Sequence, residues 1–102
     1  MNRQDETIFA LATPAGRAAV QIFRVSGKGA ARALRRLAGR LPQPRVMTYS
    51  TITDIDGHKI DVGMTAWFPS PASPTGEDYA EFHLHGTPHI GRMLMLALEQ
   101  LP

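Results

Sequence analysis

The segment Tyr79-Ala80-Glu81-Phe82-His83-Leu84-His85 is the strongest constraint on what this chain can fold into. In an extended conformation, alternation sends Tyr79, Glu81, His83 and His85 to one side and Ala80, Phe82 and Leu84 to the other. One face packs and the other is polar. The strand runs out through Gly86-Thr87-Pro88 into Ile90, Leu94, Ala97, Leu98 and Leu101, whose helical spacing predicts a helix over residues 88–101. The join is therefore a helix N-terminus, where free backbone amides attract anions or polar ligand atoms.

The rest of the chain divides at its glycines and prolines. Residues 7–12 read as a short strand stopped by Thr13-Pro14-Ala15-Gly16, where proline removes a ladder donor and glycine permits a turn. Residues 18–25 read as a second strand, with Val20, Ile22 and Arg24 in phase on one face and Gln21, Phe23 and Val25 on the other. Both faces are mostly apolar, which suggests a central strand. Ser26 is placed to cap a helix over residues 28–40, with Ala30, Leu34, Leu37, Ala38 and Leu41 inward and Gly39 and Pro42 at its end. Residues 45–54 and 58–68 form a predicted hairpin around Asp56-Gly57, a dipeptide that tolerates positive φ. The run from Pro69 to Gly76 holds three prolines and must be a loop. The expected architecture is α+β, a mixed or antiparallel sheet of about five strands with two packed helices. With 102 residues, 43% of them apolar, a single domain over residues 1–102 is expected.

Several function classes are excluded by residue chemistry. The chain has no cysteine, so thiolate zinc sites, disulfides and a cysteine nucleophile are ruled out. After Met1 come Asn2-Arg3-Gln4-Asp5-Glu6, with no apolar run suited to a signal peptide or membrane span, so the cytoplasm is the default location. A P-loop fails at Gly27-Lys28, where Gly29 follows in place of a hydroxyl and Ile22 occupies the first glycine position. The net charge of +2 and pI near 9.5 would favour a phosphate-bearing partner without identifying one. Arg32, Arg35, Arg36 and Arg40 line the outer side of the first helix. A solvated face explains them; a tRNA or phosphate contact is the alternative.

Two charged residues stand out. Arg24 lies in phase with Val20 and Ile22 on a strand that reads as buried, and a buried guanidinium needs a partner. Glu81 is the candidate partner. An internal salt bridge and a ligand contact are equally compatible with the residues alone. His83, His85 and His89 lack the companion carboxylate or cysteine spacing of a metal centre, and Asp54-Ile55-Asp56-Gly57 lacks the later ligands of a calcium loop and reads as a turn.

Three segments together resemble the N-terminal domain of the tRNA-modifying GTPase family MnmE/TrmE: Ala12-Thr13-Pro14-Ala15-Gly16-Arg17, Ile22-Phe23-Arg24-Val25-Ser26-Gly27, and Thr75 through Gly86. Trp67-Phe68-Pro69 adds a fourth match, so the resemblance covers essentially the whole chain. It implies a fold similar to tetrahydrofolate-binding, glycine-cleavage T-protein-like domains. It also implies a homodimer that binds 5-formyltetrahydrofolate or 5,10-methylenetetrahydrofolate as a one-carbon donor for wobble-uridine modification of tRNA. Arg24 and Glu81 fall on the family's folate-contacting arginine and glutamate, and Gly76, Gly86 and Thr87 would line or shape the pocket. By the same resemblance, GTP, Mg2+ and K+ would belong to a GTPase domain not in this sequence, and a flavoprotein partner, MnmG/GidA, would complete the modification. The family commonly has a second glycine where Thr87 stands, which raises the expectation of a crowded turn. A further segment that completes the domain is expected beyond residue 102, so the chain reads as a C-terminally truncated piece.

Overall fold

The structure, a computed structural model, describes residues 7–12 and 19–101. The turn expected at Thr13-Pro14-Ala15-Gly16, and most of the first motif, lie outside the described residues. Two strands of opposite direction make the centre of the sheet: β2 (Val20–Ser26) and β5 (Tyr79–His85) pair antiparallel, with Phe23 opposite Phe82 and Val25 opposite Ala80. The hairpin of β3 (Thr48–Thr53) and β4 (Lys59–Phe68) adds to the far edge of β5, and β1 (Ile8–Leu11) adds to β2. The result is one antiparallel sheet in the order β1-β2-β5-β4-β3.

Helices α1 (Ala30–Leu37) and α2 (Pro88–Glu99) share one core with a single face of this sheet. Leu34, Leu37, Leu94 and Leu98 meet Phe23, Val25, Ile52, Phe82 and Leu84 there, all buried. Each such side chain contributes about 2 kcal/mol of apolar burial, so this one layer supplies most of the cohesion. The α+β expectation and both helical faces hold, with Ile90, Leu41 and Leu101 at the core's edge.

β2 is an interior strand of the sheet, as expected, but the opposite face carries no helix among the described residues, which corrects the reading of Arg24 as buried. Arg24 is exposed there, as are Val20 and Ile8. Tyr49 on β3 is 70% exposed, on a face a second layer would normally cover. At one end of this face the loop after β4 closes on β2: the Ser26 hydroxyl shares a 2.7 Å hydrogen bond with that of Thr75 and donates to Glu77.

Ser26 therefore does not cap α1. It is the last residue of β2, and the positive φ of Gly27 turns the chain before the helix starts at Ala30. The N-terminal orphan amide is met from a distance instead, since Gly29 N–H donates to the Thr7 hydroxyl at 2.7 Å. Strand β3 also begins later than predicted. Arg45 adopts a positive φ of 63° and donates its amide to Trp67, which delays regular pairing until Thr48. The Asp56-Gly57 turn is present, with Asp54 Oδ1 accepting the amides of Asp56 and His58.

At Gly63 the backbone of β5 comes so close to β4 that a Cβ would drive into the His83 backbone carbonyl oxygen. Backbone in a paired strand cannot move aside cheaply. Gly63→Ala should destabilise the fold by about 3 kcal/mol, read as a lowered midpoint in denaturant unfolding.

Candidate functional site

Register places the two singled-out charges together. Arg24 on β2 is the direct cross-strand partner of Glu81 on β5, and opposite residues in an antiparallel pair share a face. Both therefore stand on the helix-free side. Alternation adds Tyr79 and His83 to the same row, one on each side of Glu81.

These neighbours hold the carboxylate by both oxygens. The Tyr79 hydroxyl donates to Glu81 Oε2 at 2.6 Å, and His83 Nε2 lies 2.8 Å from Oε1. Tyr79 itself is buried, its ring set edge-on against Phe68 at 5.5 Å between centroids. Partial burial pushes the Glu81 carboxyl upward, but the bonds from Tyr79 and His83, with the charges of His83 and Arg24, outweigh it and hold the group below the usual carboxylate range. Burial, followed by the bond to Glu81, pushes the Tyr79 phenol well above its ordinary value, so it remains a donor at any physiological pH.

A carboxylate offers about four lone-pair positions, of which two are used here. Two remain for paired donors on a planar ligand edge, while Arg24 presents a planar fork of donors beside it. The arrangement suits a flat heterocycle with adjacent N–H groups, such as a guanine- or pterin-like edge.

The other three candidates are not gathered at this point. Gly76, at φ 80°, sits in the loop before β5 and lines a cavity of about 420 Å³ with Gly27, Lys28, Ser70, Glu77 and Asp78. Gly86 and Thr87 lie past the other end of the strand. Seven strand residues span on the order of 20 Å, so a ring on Glu81 cannot touch both ends.

Thr87 costs no backbone strain, because its φ of −100° and ψ of 140° are open to any residue. Its hydroxyl accepts the amide of Ile90 and caps α2. The turn is tied down by Gln21, whose buried side chain donates to the carbonyls of His85 and Thr87, each at 2.8 Å. Sequence reading missed Gln21, for an amide among apolar neighbours on a strand gives no hint of which carbonyls it will meet. It also missed Tyr79 and His83 as holders of Glu81, although strict alternation had already put all three on one face.

Each of three histidines faces a carboxylate: His58 with Asp54 at 3.3 Å, His83 with Glu81, and His85 Nδ1 with Asp61 at 2.9 Å. Potential ligand atoms of Asp54, Asp56 and His58 fall within 4.8 Å of one another, and the hydrogen bonds of the turn account for that closeness. Along the open face from Glu81, Val20, Tyr49, Val62, Met64, His83 and His85 line a hollow of about 300 Å³. Arg32, Arg35 and Arg36 are exposed on α1, with Arg36 reaching the Ile55 carbonyl at 3.2 Å, whereas the helix ends at Leu37, short of the expected residue 40, and leaves the exposed Arg40 beyond it.

Comparison with known proteins gives a consistent result. A family model described as the GTP-binding protein TrmE N-terminus matches residues 7–101. The chain is 50% identical over 96 residues to the tRNA modification GTPase MnmE of Phenylobacterium zucineum, covering 94% of this chain and 22% of that protein. It is 48% identical over 102 residues to the protein of the same name from Erwinia tasmaniensis, covering 100% of this chain and 22% of the relative. It is also 48% identical over 95 residues to the one from Maricaulis maris, covering 92% and 22% respectively. The chain thus spans about a fifth of the length of the curated relatives it matches.

The Asp61 contact gives the fold a pH signature. Burial raises its carboxyl, but the backbone amide and ring of His85 and the Val62 amide outweigh that and lower it from 3.8. A depressed folded-state value stabilises the fold above the unfolded value near 3.8 and is lost as pH falls below it. Asp61→Asn should cost about 1 kcal/mol at neutral pH and flatten the acid limb of a stability–pH curve below about pH 4, measured by urea unfolding.

Proposed function

The chain belongs to the family of TrmE N-termini, and from that membership we propose that it binds a one-carbon-carrying tetrahydrofolate and dimerises, as the first module of a tRNA-modifying GTPase. The observation that carries the folate reading is the cross-strand pair of Arg24 and Glu81 on the helix-free face, with two carboxylate lone-pair positions to spare. A pterin amino group and ring N–H supply the two matching donors. The ligand is 5-formyl- or 5,10-methylenetetrahydrofolate, whose tail can run along β5 toward Gly86 and Thr87 or toward Gly76.

Dimerisation follows from the same face. Ile8, Val20 and Tyr49 are large and exposed on it, and a second copy would remove them from water. GTP, Mg2+ and K+ belong, in this reading, to a GTPase portion of the larger protein. There tRNA and the flavoprotein partner MnmG complete the wobble-uridine modification, in the cytoplasm. Among the described residues no helix is long and apolar enough to cross a membrane.

Titration calorimetry with 5-formyltetrahydrofolate tests the site. The unaltered protein should bind, and Glu81→Ala should weaken binding at least tenfold, as expected for loss of hydrogen bonds to a charged group. Binding that is absent in the unaltered protein, or unchanged in Glu81→Ala, would leave a purely structural dimerisation module. Tyr49→Glu should shift the sedimentation equilibrium from dimer toward monomer, since burying an unpaired charge in an apolar interface is strongly unfavourable.

A further inference from the structure

We propose that Tyr79 and His83 are positioning residues that lock the plane of the Glu81 carboxylate for its ligand. This rests on the folate reading above. A glutamate on a half-open sheet face has a broad, nearly two-fold terminal torsion, so an untethered carboxylate would sample many orientations. Here each oxygen is tied by a different neighbour on the same strand, the Tyr79 hydroxyl at 2.6 Å and the His83 ring at 2.8 Å. Tethers on both oxygens stop the group from rotating, while a single tether would leave it free to swing. The cost of orienting the acceptor is met on folding, before any ligand arrives.

The two holders differ in chemistry. Tyr79 is buried and kept protonated, so it is a permanent donor. His83 donates through Nε2 whether neutral or charged, because the Glu81 oxygen selects the Nε2–H tautomer. Around the pair, β2 contributes the charge of Arg24 and the apolar Ile22, and β4 contributes Met64 and Ala66, which do not titrate. On β5 itself His85 is taken up by Asp61. The titratable or charged neighbours of Glu81 are therefore Tyr79, His83 and Arg24.

Packing does not require the phenol oxygen. The Tyr79 ring meets Phe68 through its edge, a contact that phenylalanine keeps. Tyr79→Phe thus removes one tether and little else. His83→Leu removes the other, whereas His83→Gln retains an N–H donor.

The test combines a titration without ligand and one with it. Carboxyl 13C NMR should show the Glu81 titration midpoint rising in both Tyr79→Phe and His83→Leu, and staying closer to that of the unaltered protein in His83→Gln. Calorimetry with 5-formyltetrahydrofolate across pH should show affinity reduced about five- to tenfold at neutral pH in the first two variants, as for loss of one hydrogen bond. The acid limb of binding should move to higher pH in both, with recovery in His83→Gln. An unmoved Glu81 midpoint in both variants overturns the positioning role, whatever folate does. Unchanged folate affinity in both, with Glu81→Ala still impaired, overturns it while leaving the folate site standing. Absence of binding to the unaltered protein removes the premise, and the NMR midpoint then shows that the failure lies in the ligand and not in the tethers.

Discussion

The antiparallel ladder between β2 and β5 is the constraint from which the other features descend. It sets Phe23 against Phe82 and Val25 against Ala80 on the side the helices cover, and in the same stroke sets Arg24 against Glu81 on the side they do not. A slip of one residue would reverse both faces of a strand at once, exposing the aromatic core and burying the charges. Core and candidate site are thus two consequences of one register. The apolar side enforces it, and the polar side inherits its geometry.

Covering the sheet on one face only explains why so many ionisable groups are tolerated along β5. Glu81, His83 and His85 remain in partial contact with water, so none carries the full desolvation cost of an interior charge. Each instead gains one or two short bonds that orient it. Half-burial with satisfied partners is the condition in which a carboxylate stays ionised and still holds a fixed direction. The same open face leaves Ile8, Val20 and Tyr49 in water, which is why the folate and dimer readings draw on a common surface.

Where reading of the residues and the folded chain part, the reason is distance along the chain. Ser26 has the right side chain and nearly the right place to cap α1, but Gly27 turns the backbone first, and Thr7 supplies the oxygen from twenty-two residues away. Arg24 read as buried because its strand neighbours are apolar; whether a layer covers that face is decided by where two helices pack, which no local pattern states. Gly76 and Thr87 belong to motifs close in sequence to Glu81, yet a strand is straight, and it carries them to its opposite ends.

From the sequence alone came the periodicities: which residues form five strands and two helices, which side of α2 and β5 turns inward, the turn at Asp56-Gly57, and the absence of a P-loop or thiol chemistry. These depend on neighbours within one turn or one pleat, so composition and spacing suffice. Tertiary structure decided the order β1-β2-β5-β4-β3, the open face, and the pairing of Arg24 with Glu81. It also decided the Gln21 anchor and the twofold tether on Glu81. Contacts between segments sixty residues apart are selected by the packing free energy of the whole sheet, and individual side chains carry no label for the partner that packing will give them.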